Sequence, residues 1–335
     1  MKNNVYKNTV EIEYAVDLFL KRINKDRMGF KVNFLGNKRY HNTFKPENAY
    51  EVTFNHPISL NSKVISKIKV RYCKSIHQAK TINFFLDNKK IKKLEQPTIL
   101  GTYNNILLTE WVDGDSYNRQ EKDYLKKIKK IGILHGLIED AAISSEDIGI
   151  DYIKDRFKAN LEHLTQVCEY FFIDNYYNEF ITVLIEIFNK EISNHGNPNI
   201  VLSAYDWKRQ DVIFSEDNIP KLIDIENIDY GIEGYSIWKT ERNAVYFYNN
   251  EEKDYYLKGI KDVLNNYSYY ANIYEYLFNT IYMAEQGSLI FNYIKTAEIL
   301  DEKAEWKFVY KELNLLLEEI TKLKERYSLR TNRII

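Results

Sequence analysis

Asp206, Asp211 and Asp224 stand at the edges of short apolar, β-branched runs: Ala204-Tyr205-Asp206-Trp207-Lys208-Arg209-Gln210-Asp211-Val212-Ile213-Phe214, then Leu222-Ile223-Asp224-Ile225-Glu226. Carboxylates at strand ends inside a hairpin can converge on one point in space. Such oxygen donors suit Mg²⁺, which takes one or two carboxylates together with substrate phosphates. A third carboxylate can orient or deprotonate a hydroxyl nucleophile. The competing reading makes the acids turn formers that flank the strands. Other chemistry is scarce. His135 lies on an apolar helical stretch and reads as a buried structural histidine, and His41, His56, His77, His163 and His195 show no ligand spacing. There is no Gly-x-Ser-x-Gly elbow and no Gly-x-x-x-x-Gly-Lys-(Ser/Thr) loop.

The elements that must position these acids follow from periodicity. Val10, Tyr14, Leu18 and Ile23 predict an amphipathic helix over about 8–23. Tyr50 to Phe54 and Val64 to Tyr72 alternate as strands, with His56-Pro57 and Leu60-Asn61-Ser62 marking a turn between them. Ser75 offers an N-cap for a helix carrying Ile76, Ala79, Ile82, Phe85 and Leu86 inward, and Pro97 breaks it. Strands follow at Thr98 to Leu100 and Ile106 to Trp111. From about 120 the period is helical, over 121–141, 152–171, 176–193 and nearly everything after 237, save a strand-rich island at 200–225. The reading is α+β and bilobal. A β-rich N-lobe occupies 1–112 and a mainly helical C-lobe 113–335, with the catalytic island at 200–226. A cleft between lobes is a common ligand site.

Composition bounds the function. The 335 residues carry 47 Lys+Arg against 48 Asp+Glu, so the global basic term of a nucleic-acid binder is missing. Lys89-Lys90 and Lys92-Lys93 read as a solvated face. Cys73 and Cys168 form no zinc or disulfide spacing, and the first residues do not read as a signal peptide. The sequon at Asn266-Tyr267-Ser268 has no meaning without secretion, and no apolar run approaches a membrane span. The expectation is a cytoplasmic protein with neither membrane nor nucleic-acid partner. Only 12 residues are glycine, about half the usual share, which argues against glycine-fingerprint architectures.

Four segments in order resemble the aminoglycoside phosphotransferase and choline kinase family of protein-kinase-like folds. Ile106 to Gly114 looks like the hinge strand with its acidic-aromatic-x-x-Gly ending. Ile131-Gly132-Ile133-Leu134-His135-Gly136-Leu137 looks like the helix carrying a Leu-His pair. Asp206 to Asp211 matches the spacing of the His-Gly-Asp-x-x-x-x-Asn loop, and Leu222 to Glu226 resembles the Leu-Ile-Asp-(Trp/Phe)-Glu segment. The match covers roughly 30–240. The resemblance implies transfer of a nucleoside triphosphate's γ-phosphoryl group to a small-molecule hydroxyl, with Mg²⁺ as cofactor and ATP or GTP as donor. Asp206 would orient the acceptor hydroxyl, Asp211 and Asp224 would hold Mg²⁺, and the hinge backbone near Glu110 and Val112 would bind the base. A lysine on the third strand would meet the phosphates. Ile68-Lys69-Val70 looks most like the family's Leu-Lys-Val, and Lys67 is the close second.

The chain departs from that pattern in several places. Ala204 and Tyr205 replace the loop His and Gly, and Asp211 replaces the metal-binding Asn, which keeps an oxygen ligand. No Glu stands between Ser75 and Asn88 to pair with the lysine; Thr81 or Asn83 falls near that place. The phosphate-covering loop, set at about Lys45 to Ala49, lacks glycine. Beyond the metal segment, Glu226, Asp229, Glu233 and Trp238 open a region dense in tyrosine. Carboxylates beside aromatic faces suit a cationic acceptor, an aminoglycoside, choline, or another amino alcohol or sugar; tyrosines at helical spacing equally suit a core with polar tips. The alternatives are a pseudokinase or binding module, motivated by the departures, and a kinase acting on protein or peptide.

Overall fold

Helix α1 (Lys2–Arg22) places Ile12, Ala15, Val16, Phe19 and Leu20 on one stripe, the i, i+3, i+4, i+7, i+8 row of a helix turned to a core. The structure is a computed structural model describing residues 2–35, 39–40, 43–44, 49–60, 63–94, 96–116, 118–145, 147–171, 177–205, 211–223, 225, 227–242, 247, 249–265, 272–300 and 303–331. The five α1 side chains are buried against a β-sheet. The expected inward row is on another face, with Val10 and Tyr14 exposed. The five-residue row removes more apolar area from water than the row through Val10, Tyr14 and Leu18, and so decides which face is buried.

The sheet is five-stranded and antiparallel, in the order β1 (Phe30–Phe34), β4 (Ala49–Leu60), β5 (Lys63–Tyr72), β7 (Ile106–Glu110), β6 (Ile99–Tyr103). A small hairpin, β2 (Arg39–Tyr40) with β3 (Thr43–Phe44), lies between β1 and β4. Tyr50, Val52, Phe54, Ile68, Val70 and Leu108 turn toward α1. Strand β4 runs through His56-Pro57, where the sequence suggested a turn. Its register against β5 shifts between Thr53 and Ile58, and such irregularities accommodate proline because no regular ladder donor is lost.

Helix α2 (Ile76–Leu86) begins at Ser75, whose Oγ accepts from the Gln78 backbone N–H at 3.1 Å. Ala79, Ile82, Phe85 and Leu86 turn inward as expected, whereas Ile76 is exposed. A single turn, α3 (Lys89–Lys92), follows. The α2 face shares a core with α4 (Tyr124–Asp140), α8 (Asn250–Lys261), β9 (Ile200–Ala204), β10 (Val212–Phe214) and β11 (Pro220–Leu222). Helices α4 and α8 touch backbone to backbone. A Cβ on Gly132 would sit 2.1 Å from the Tyr256 carbonyl oxygen, and one on Gly259 would sit 2.2 Å from that of Lys129. These two glycines stand where no side chain fits.

The second large core gathers α5 (Ile150–Tyr170), α6 (Tyr177–His195), α9 (Glu275–Leu300) and α10 (Lys303–Thr331) around Tyr235 and Trp238 of α7 (Tyr235–Arg242). Strand β9 is central in a three-stranded sheet between β8 (Ile143–Ser144) and β12 (Ile228–Ile232). Periodicity did not reveal β12, because Asp229 and Gly231 interrupt its apolar pattern. The architecture is α+β, a sheet-based N-lobe joined to a mainly helical C-lobe. Among the described residues no helix is long and apolar enough to cross a membrane.

Candidate active site

Two backbone pins frame the aspartate loops. At one end β9 pairs with β12, with Ala204 opposite Ile228, and the Tyr205 N–H donates to the Asn227 carbonyl at 2.9 Å. At the other end β10 pairs with β11, with Val212 opposite Leu222, and the Ile223 N–H donates to the Asp211 carbonyl at 2.6 Å. Asp206 follows the first pin and Asp224 the second. Asp206, Asp224 and Glu226 themselves lie outside the described residues. Asp211 is 3% exposed, a carboxyl buried at the mouth of the β10–β11 hairpin. Its carboxylate is an oxygen donor of the kind Mg²⁺ takes. Among the described residues no group of three or more His, Cys, Asp or Glu side chains comes together.

A lysine of the N-lobe reaches this frame. Lys69 Nζ on β5 donates to the Ile223 carbonyl at 3.2 Å. Lys67, on the same face, turns to Glu51 at 3.4 Å, and its ammonium lies 5.6 Å from the Trp111 ring centroid. Burial acts to raise the Glu51 pKa, but bonds from Asn33, Thr53 and Lys67 outweigh it and hold the carboxyl below its usual range. On α2, Thr81 is buried and Asn83 exposed. Gln96 adds a second tie between lobes, its Oε1 accepting from the Leu222 N–H at 2.7 Å and its Nε2 donating to the Pro220 carbonyl at 3.3 Å. Sequence spacing gave no sign of that role.

Past β7 the hinge is fixed at both ends. Glu110 accepts from Lys63 Nζ at 2.9 Å and from the Thr98 N–H at 3.1 Å. Burial would raise its pKa, but those bonds hold it low, so its side chain serves the strands, and its backbone N–H also donates to the Thr98 carbonyl at 2.9 Å. Gly114 has φ +155, and a Cβ there would sit 2.1 Å from the Phe214 carbonyl oxygen. Asp115 exchanges backbone bonds with Phe214 at 3.2 and 2.9 Å, which seats the hinge against β10. The β1–β4 connection occupies 35–48, and Ala49 already belongs to β4. Of the expected phosphate-covering loop at Lys45 to Ala49, residues 45–48 lie outside the described residues.

His135 holds the first pin from beneath. It is fully buried; its Nε2 lies 2.9 Å from Ser236 Oγ, and Ser236 Oγ donates to the Ala204 carbonyl at 2.8 Å. The serine's one proton is thus committed to Ala204. His135 must donate from Nε2, and its Nδ1 accepts from the Tyr256 hydroxyl. Burial pushes its pKa below 6.5, opposed by the neighbouring Glu139 carboxylate, so the ring is neutral. Ser203 Oγ donates to the same Glu139 at 2.6 Å.

The expected acceptor residues fall on different elements. Asp229, on β12, accepts from the Tyr152 hydroxyl at 2.8 Å and pairs with Arg156 at 3.3 Å. Burial and that carboxylate push the Tyr152 hydroxyl up to about 12, so it stays a donor. Glu233 accepts from Asn199 Nδ2 at 2.8 Å. Trp238 is 3% exposed, its ring stacked with Tyr235 and covered by the Arg242 guanidinium at 4.7 Å.

No family model matches the chain, and no curated protein matches its sequence. Solved structures do match over nearly the whole length. An ethanolamine kinase from Plasmodium vivax is 14% identical, with TM-score 0.58, covering 96% of this chain and 90% of that one. The choline kinase LicA from Streptococcus pneumoniae is 12% identical, with TM-score 0.55, covering 93% and 99%. An ADP-bound aminoglycoside phosphotransferase, APH(2'')-Ib, is 13% identical, with TM-score 0.53, covering 91% and 98%. The chain has the protein-kinase-like fold that these small-molecule kinases share.

Proposed function

We propose that this protein is a Mg²⁺-dependent phosphotransferase that moves the γ-phosphoryl group of ATP or GTP to a hydroxyl of a small molecule. The observation that carries the reading is the 3.2 Å bond from Lys69 to the Ile223 carbonyl. It sets a cation of the N-lobe sheet beside the segment that leads into Asp224, where a nucleotide's phosphates would meet the aspartate loops.

In this reading Lys69 neutralises phosphate oxygens and the hinge backbone at Glu110 and Val112 takes the base edge. Asp211 and Asp224 would hold Mg²⁺, which would offset the charge of the phosphates. Asp206 orients the acceptor hydroxyl and takes its proton as the oxygen bonds to the γ-phosphorus and the bond to the β-phosphate oxygen breaks. Catalysis is then mainly positioning and charge stabilisation. The acceptor is of the amino-alcohol, choline, aminosugar or sugar kind. Glu226, Asp229, Glu233 and Trp238 are the contacts we assign to it, with Asp229 and Glu233 themselves held by Arg156, Tyr152 and Asn199.

A thermal-shift panel with Mg²⁺ and ATP, GTP or ADP, extended to choline, ethanolamine, kanamycin and glucose, tests the reading. A nucleotide at 100 times its dissociation constant stabilises by about 2.7 kcal/mol. No shift with any nucleotide contradicts it. The second reading, a pseudokinase or binding module, is favoured by Ala204 and Tyr205 in place of the loop His and Gly; nucleotide binding without phosphotransfer to any acceptor would select it.

A further inference from the structure

Tyr205 occupies the position immediately before Asp206, where the resembled kinases place glycine. A tyrosine there would gain nothing from backbone freedom, yet its ring is held by residues of four elements. The Arg156 guanidinium of α5 lies 3.9 Å from the ring centroid. Gly231 of β12 leaves the space on which the ring sits, since a Cβ there would be 2.4 Å from Tyr205 Cδ2. Tyr235 of α7 stacks at 5.3 Å between centroids and 30° between planes. The Tyr205 hydroxyl donates to Glu285 of α9.

The holders are themselves held. Arg156 Nη1 donates to the Tyr230 carbonyl at 2.9 Å and pairs with Asp229 at 3.3 Å. Glu285 accepts from the Tyr235 hydroxyl at 2.9 Å and pairs with Lys239 Nζ at 3.0 Å. The Tyr205 N–H is bonded to the Asn227 carbonyl, so backbone and side chain of one residue are both fixed. Consecutive Cα atoms are about 3.8 Å apart, and a fixed Tyr205 sets where residue 206 begins.

We propose that Tyr205 is a positioning residue for Asp206. Its ring, clamped by Arg156 and Tyr235 over Gly231 and tied to Glu285, does the work that a glycine-shaped loop does in the resembled family. The inference rests on the phosphotransferase reading. A guanidinium over an aromatic face and a charge-assisted bond to a carboxylate are both strong contacts when partly desolvated. Small displacements of a catalytic group cost rate rather than binding. The clamp therefore acts on turnover and leaves nucleotide affinity alone, because the lysine and hinge that would hold the nucleotide lie on other elements.

The test compares wild type with Tyr205→Phe, which keeps the ring but loses the Glu285 bond, and Tyr205→Leu, which loses both. Turnover is measured with MgATP and the best acceptor of the panel above, and MgADP affinity by calorimetry. Tyr205→Leu is expected to lower kcat by about 100-fold and Tyr205→Phe by a smaller factor, with MgADP affinity within about twofold of wild type in both. Unchanged kcat in Tyr205→Leu, or MgADP affinity falling in parallel with kcat, overturns the proposal. If Tyr205→Leu fails to fold, Tyr205→Phe carries the test, and its unchanged kcat overturns it. A wild-type protein that phosphorylates no acceptor contradicts the phosphotransferase reading instead. Amide exchange over 201–214 then decides the clamp: faster exchange in Tyr205→Leu than in wild type supports it, and equal rates overturn it.

Discussion

Lys69 Nζ and the carbonyl oxygen of Ile223 are 3.2 Å apart, and this bond joins the N-lobe sheet to the aspartate loops. Lys67, two residues away on the same strand face, is instead held by Glu51 and Trp111. The sequence left the two lysines nearly equivalent; the fold separates them.

That separation predicts unequal variants. Lys69→Met removes a charge-assisted contact to phosphate, a loss of about 1.5–3 kcal/mol, or roughly 10- to 100-fold in nucleotide affinity. Lys67→Met leaves nucleotide affinity nearly unchanged, since the Lys67 ammonium is already engaged by Glu51 and the Trp111 ring. Calorimetric titration with MgADP measures both. Equal losses would contradict the assignment.

His135 predicts a structural loss. His135→Ala leaves the Tyr256 hydroxyl and the Ser236 hydroxyl without their buried partner and opens a cavity, for an expected destabilisation of about 3 kcal/mol. Urea unfolding measures it. A loss under about 0.5 kcal/mol would show that the network anchoring Ala204 is not what holds β9.

The same histidine gives stability a pH dependence. Its folded pKa lies below 6.5, with burial the main cause, so below that pH the unfolded chain binds a proton that the native state refuses. This contribution to stability is complete above about pH 6.5 and falls as pH drops, with a limiting slope of about 1.4 kcal/mol per pH unit for one proton. His135→Asn should flatten the curve between pH 5 and 6.5 relative to wild type. A parallel curve would contradict a neutral buried imidazole.

Glycine supplies a prediction independent of function. Gly259→Ala would place a methyl 2.2 Å from the Lys129 carbonyl oxygen. Backbone cannot yield as a flexible side chain does, so α4 and α8 must separate, at an expected cost of about 1–3 kcal/mol. A lower melting temperature with intact secondary structure is the expected result, and an unchanged one would contradict the close approach.

What the sequence conveyed and what it withheld divide along physical lines. Lobes, helices and the island at 200–225 were legible because periodicity reports burial directly. The buried face of α1 was not, since two apolar rows coexist on one helix and only the sheet chooses between them. Strand β4 crosses Pro57 because a register shift absorbs the missing donor, which no local rule reveals. Strand β12 was hidden by Asp229 and Gly231, residues present for Arg156 and for the Tyr205 ring. The distinction between Lys67 and Lys69, the Gln96 tie and the Tyr205 clamp were not legible, because they depend on contacts remote in sequence.

The most direct test of the account is Asp206→Asn, assayed for phosphoryl transfer from MgATP to an acceptor that wild type turns over, beside MgATP binding by calorimetry. An asparagine keeps the size but cannot take the hydroxyl proton, a role worth about 10²- to 10⁴-fold in rate. A loss of at least that order in kcat, with nucleotide affinity retained, is expected. Unchanged turnover in Asp206→Asn would contradict it.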